Sequence, residues 1–138
     1  MTVIAASAQT LAAETSAPKN APAPASPLPP PPAPLEEPPP PYEPQLLRLA
    51  EIMGALAYLR DLCGAGDGVK FRAKVAALVD AEGASESRRD LLAGAYNRGF
   101  RDYQTTYRAC TPAAEEVISQ FLSEAARLAA QIANRYGG

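Results

Sequence analysis

The chain has 138 residues, 47% hydrophobic and 20% charged, which is enough for one small domain. Its formal net charge is −2, and no stretch is basic enough to predict binding to nucleic acid or to an anionic membrane. It contains no histidine and only two cysteines, which argues against Ser–His and Cys–His nucleophilic sites, a zinc site, and any other bound metal or cofactor.

Residues 1–17 resemble the tail of a secretory signal peptide. Ala6-Ser7-Ala8 forms a small-x-small cleavage site before Gln9, although the positive region is missing and the apolar run is short. We therefore expect that the start codon is assigned too far downstream and that the protein is exported to the periplasm. The alternative is a cytoplasmic protein with a disordered, alanine-rich tail. No run reaches the about 18 apolar residues that a transmembrane helix requires.

Residues 18–44 contain all but one of the 15 prolines and predict a disordered, proline-rich linker. Repeated prolines favour polyproline II geometry, which has no internal hydrogen bonds. We interpret the segment as a spacer or a solvated tail in preference to a ligand of PxxP-binding domains, because this composition produces PxxP sequences by chance. The folded domain must then come from residues 45–138.

Two helices are predicted after the linker. Apolar residues recur at helical spacing and predict a first helix over about residues 45–62 and a shorter second helix over about residues 69–82. The loop between them, residues 64–68, is rich in glycine. A phosphate-binding loop of this kind needs a preceding strand, so we expect no phosphate site there.

The third helix is predicted over residues 86–110, with its apolar side chains and Cys110 on one half of the circumference. Gly99 lies near the middle of that face. Because glycine inside a helix costs about 0.5–1 kcal/mol relative to alanine, we interpret it as a notch for the close approach of a neighbouring helix. The opposite side carries a polar row that we expect to be exposed, formed by Asn97, Arg101, Gln104 and Arg108.

Thr111 and Pro112 predict the start of a fourth helix over residues 112–136, since threonine is a good N-cap and proline fits the first helical position. Its apolar residues also share one face. Four amphipathic helices joined by short loops predict an all-α domain, either an up-down-up-down four-helix bundle or a close variant of it.

The bundle topology predicts a disulfide between Cys63 and Cys110. The first and third helices run parallel in such a bundle, so both cysteines lie at the same end of the domain, and both are predicted to project from apolar faces. A disulfide closing this loop of about 48 residues stabilises a fold by roughly 4 kcal/mol in the chain-entropy model. The alternative is a pair of buried free thiols in a cytosolic protein.

Three strings are distinctive: EIMGALAYLRDLC at residues 51–63, NRGFRDYQTTYRACTP at residues 97–112, and IANRY at residues 132–136. Together they resemble a family of uncharacterised, predicted-exported small helical proteins of alphaproteobacteria. The resemblance covers residues 42–138, and the Asn-Arg-Gly to Cys-Thr-Pro string is its most specific part. It implies export and the cysteine pair, and it implies no activity, ligand or catalytic residue.

These patterns predict a non-catalytic, exported protein of the cell envelope that acts as a structural or protein-interaction module. No catalytic residue is predicted, because Glu115 and Glu116 are neighbours on a helix and diverge from each other. One alternative is a module that binds a glycan or an envelope protein through the polar row, although such rows are more often solvated surface. A second alternative is a thiol-redox protein using Cys63 and Cys110, which lack the Cys-x-x-Cys spacing.

Overall fold

The computed structural model describes residues 24, 26–31 and 38–137. The chain divides into two units, residues 1–34 and residues 35–138. The described residues of the first unit are exposed and form no helix or strand. The predicted signal-peptide remnant, and the linker apart from these short stretches, lie outside the described residues.

The second unit contains four helices: α1 (Glu43–Leu62), α2 (Gly68–Glu82), α3 (Glu86–Thr106) and α4 (Pro112–Tyr136). Residues 38–137 contain no strand. The prediction of an all-α fold with four helices is therefore confirmed, and the predicted limits of α1, α2 and α4 are correct to within one turn. In the described part of the chain, no helix has the length and apolar composition needed to span a membrane.

The central helix of the domain is α1. Each of the other three helices packs against it, and α2 also packs against α3. Its buried residues lie around its whole circumference rather than on one face, as expected of a helix enclosed by others. They are Leu46, Leu49, Ala50, Ile52, Gly54, Ala55, Leu56, Ala57 and Leu59. The fold is a close variant of the predicted bundle, with α1 at its centre.

The helices α1 and α3 cross with their backbones in contact. A Cβ atom added at Gly99 of α3 would collide with the carbonyl oxygen of Glu51, and one added at Gly54 of α1 would collide with the carbonyl oxygen of Tyr96. Each helix thus has a glycine where the backbone of the other passes. The interpretation of Gly99 as a notch is confirmed, and Gly54 supplies the matching notch on α1.

The third helix ends one turn earlier than predicted. The hydroxyls of Thr105 and Thr106 donate hydrogen bonds of 2.9 and 2.7 Å to the carbonyl oxygen of Asp102, and Tyr107 then adopts an extended conformation. Threonine hydroxyls that bond to nearby backbone offer the chain an alternative to continuing the helix. Cys110 consequently lies in the connection to α4 and is exposed. The prediction that it projects from a buried helix face was wrong.

The start of α4 has the cap that the sequence predicts. The hydroxyl of Thr111 accepts a hydrogen bond of 3.1 Å from the backbone N–H of Ala114, and Pro112 occupies the first turn. This helix packs onto α1 mainly through its first half, where Ala114, Ile118 and Phe121 are buried. Its second half is less covered, and this leaves an open surface beside α1.

Candidate functional site

Cys63 and Cys110 form a disulfide at one end of the domain. Their sulfur atoms are 2.05 Å apart and their Cα atoms 5.0 Å apart. Cys63 is the C-cap of α1, and Cys110 lies just beyond α3. The predicted pairing is confirmed, and the topological reason holds, because α1 and α3 run parallel and end together.

Aromatic residues pack beside the disulfide. The hydroxyl of Tyr58 on α1 donates a hydrogen bond to the carbonyl oxygen of Tyr107. Tyr103 stacks on Tyr107 with ring centroids 6.2 Å apart and meets Phe121 of α4 edge-on at 5.2 Å. Burial raises the pKa of the Tyr103 hydroxyl, so the phenol stays neutral. These contacts join α1, α3 and α4, so the disulfide belongs to a packed structural cluster.

Two arginines on α1 form paired hydrogen bonds with carboxylates. Arg60 binds Asp67 across the glycine-rich loop at 2.9 and 2.6 Å, and Arg48 binds Glu124 of α4 at 3.0 and 3.2 Å. Each guanidinium lowers the pKa of its partner carboxyl group. Within residues 38–137, no group of three or more cysteine and carboxylate side chains is placed to hold a metal ion.

The predicted polar row is only partly one surface. Asn97, Arg101 and Gln104 are exposed on α3. Arg108 is exposed as well, but it follows the end of α3 and lies in the connection to α4. The helical spacing that placed all four side chains on one face therefore does not extend to Arg108. A binding role for these residues stays a prediction.

An apolar groove with a volume of about 270 Å³ lies between α2 and α4, with α1 as its floor. We refer to it as the α2–α4 groove. It exists because α2 and α4 each pack against α1 but not against each other. Its lining residues are Leu49, Met53 and Leu56 of α1, Phe71 and Lys74 of α2, and Leu122, Ala125, Ala126 and Ala129 of α4. It marks the side of α1 that has no neighbouring helix.

Sequence reasoning missed the groove. Leu122 is 38% exposed and lies beside the buried stripe of α4, outside the face that periodicity assigns to the core. The available signal was the lack of charge along this flank of α4. Its residues are all exposed and uncharged: Ser119, Leu122, Ser123, Ala126, Ala129, Ala130 and Ala133. A surface helix normally places charged and polar side chains there.

A second, smaller cavity of about 200 Å³ lies where α1, α2 and α3 meet. Asp61 and Arg72 are its charged lining residues. The Asp61 carboxylate already accepts the backbone N–H of Gly68 at 2.9 Å, at the start of α2. Arg72 is exposed to solvent. The larger and more apolar α2–α4 groove is therefore the stronger candidate for binding another molecule.

Residues 41–136 match a family model described as "Protein of unknown function (DUF2385)". No curated protein matches the chain, and no solved structure matches it. The matched range includes all four helices and both cysteines of the disulfide.

Proposed function

Because the chain belongs to the DUF2385 family of proteins of unknown function, its role has to be inferred from its own residues, and we propose that it is an exported, non-catalytic interaction module of the cell envelope. The observation that carries the proposal is the Cys63–Cys110 disulfide. The α2–α4 groove supports the interaction role.

The disulfide supports a location in the periplasm. Disulfides persist in oxidising compartments and are rare in the cytosol, where thiols are kept reduced. Cys110 is exposed, so a cytosolic reductant would have access to the bond. The four helices also form a domain of the size at which an apolar core alone gives marginal stability, and a covalent link compensates for this. A cytoplasmic protein would lose that contribution.

The ionisable residues support binding over catalysis. Asp67 and Glu124 have lowered pKa values because each is held by an arginine, so they remain charged near neutral pH and are poor proton donors. Glu115 and Glu116 are exposed in the first turn of α4, where carboxylates complement the helix dipole. The chain has no histidine to act as a general base.

A compartment reporter tests the proposal. The gene, kept at its own locus with its upstream region, is fused to alkaline phosphatase, an enzyme that becomes active only after export and disulfide formation. We expect phosphatase activity similar to that of an exported control fusion, and a mature N-terminus produced by cleavage when it is read by mass spectrometry. A stable full-length fusion without phosphatase activity would mean that the protein stays in the cytosol, and the proposal would fail.

A further inference from the structure

We propose that the α2–α4 groove binds one amphipathic helix of a partner protein, and that this helix carries carboxylates along the edge facing α2. The inference rests on the proposed interaction function and adds the class of partner and the place where it binds. Shape, apolar lining and charge support it separately.

The shape of the groove suits a helix. Leu49, Met53 and Leu56 on the floor have the spacing i, i+4 and i+7, so they cover two turns, or about 10 Å along α1. Both walls run antiparallel to α1, since α2 follows α1 through a short loop and α4 starts at the disulfide end. A helix in this position would be the fourth neighbour of α1. Helix-in-groove recognition uses apolar anchors at this same spacing.

The lining of the α4 wall favours close contact with another backbone. Ala125, Ala126 and Ala129 are small, and the distance between two packed helices depends on the side chains where they meet. Leu122 stands at the edge of this wall with 38% of its surface exposed. The exposed α4 flank that continues from the wall is uncharged over residues 119–133, and depletion of charge is typical of the centre of a protein interface.

The α2 wall supplies the charge. Lys74 is the one charged residue among the groove-lining residues, and Lys70 precedes it by one turn on the same edge of α2. Neither lysine forms an ion pair with a described residue. The Lys74 ammonium group lies 5.4 Å from the centre of the Phe71 ring. A carboxylate on a bound helix would complement these two cations, while a cation there would be repelled.

The same charges argue against a second copy of this chain as the occupant. The exposed helix that a second copy could offer is the latter half of α4. Between residues 125 and 136 its charged side chains are Arg127 and Arg135, with no carboxylate. It would therefore place cations, and no anion, beside Lys74. A helix from a different, acidic protein fits the groove better.

Photocrosslinking in cells tests the inference. The photoreactive residue p-benzoylphenylalanine replaces Leu122 in the full chain, and in a matched control it replaces Leu91, an exposed leucine on α3 outside the groove. After irradiation, mass spectrometry identifies the crosslinked peptide. We expect an adduct from position 122 only, with a peptide that has apolar residues at i, i+3 or i+4, and i+7 and an excess of Asp and Glu.

Four outcomes would overturn the inference: no adduct at position 122, equal adducts at positions 91 and 122, an adduct with this same chain, or a peptide without the acidic amphipathic pattern. A charge reversal then tests the lysine edge. We expect Lys74→Glu to lower the adduct yield at least about tenfold, whereas Arg98→Glu on exposed α3 leaves it unchanged. Equal yields from these two variants would also contradict the inference. An exported protein without the expected adduct refutes the groove alone, because the phosphatase reporter assesses export independently.

Discussion

Reduction of the Cys63–Cys110 disulfide is expected to lower the free energy of unfolding by about 4 kcal/mol. The bond links positions separated by 47 residues, so it removes a large share of the conformational entropy of the unfolded chain. A small domain has a total stability of roughly 5–15 kcal/mol, so this one bond supplies much of it. No other single covalent or polar contact of the described domain has a comparable expected effect.

Urea denaturation followed by circular dichroism measures this contribution. With a denaturant slope of about 1–2 kcal/mol/M for a domain of this size, the urea midpoint should fall by roughly 2–4 M when reductant is added. The double variant Cys63→Ser, Cys110→Ser provides the control, because reductant should leave its midpoint unchanged. If oxidised and reduced wild-type protein unfold at the same urea concentration, the disulfide does not stabilise the fold.

Gly99→Ala is expected to destabilise the domain by about 3 kcal/mol. The added methyl group meets the backbone carbonyl of Glu51, which cannot turn away as a flexible side chain could. To make room, α1 and α3 must separate along their shared contact, which includes the core residues Leu92 and Ala95. Overpacking of a close-packed interior typically costs about 1–3 kcal/mol, and a clash with backbone belongs at the upper end of that range.

Gly94→Ala is the matched control for this variant. Gly94 lies on the same helix, is exposed, and has nothing within 4 Å of a Cβ atom added there. The substitution should therefore stabilise the protein by about 0.5–1 kcal/mol, the usual advantage of alanine over glycine inside a helix. Thermal unfolding of both variants checks the opposite signs. Similar melting temperatures for the two would show that α1 and α3 do not cross as closely as described.

The number of helices and most of their limits could be predicted, because they depend on local signals. Thr111 and Pro112 mark the start of α4 by the chemistry of a cap, and this does not require tertiary contacts. The pairing of Cys63 with Cys110 followed from topology alone. Gly99 was identifiable because a glycine in the middle of an apolar helix face has few explanations other than close packing.

The features that sequence reasoning missed depend on competition between contacts. Periodicity continues through Tyr107 to Cys110, but hydrogen bonds from Thr105 and Thr106 to Asp102 end α3 first. The α2–α4 groove depends on two helices that do not touch, and a pattern of apolar residues within each helix carries no information about that. The central position of α1 was visible only indirectly, in apolar residues that occupy every side of it.

Trapping of thiols at the moment of cell lysis tests the proposed location of this protein most directly. Cells are lysed in acid, free thiols are alkylated, and the intact protein is weighed before and after reduction. We expect no alkyl group on the untreated protein from the periplasmic fraction, and two alkyl groups after reduction followed by a second alkylation, one each on Cys63 and Cys110. Two alkylated cysteines in the untreated protein, recovered with the cytosol, would contradict both the disulfide and the export that it supports.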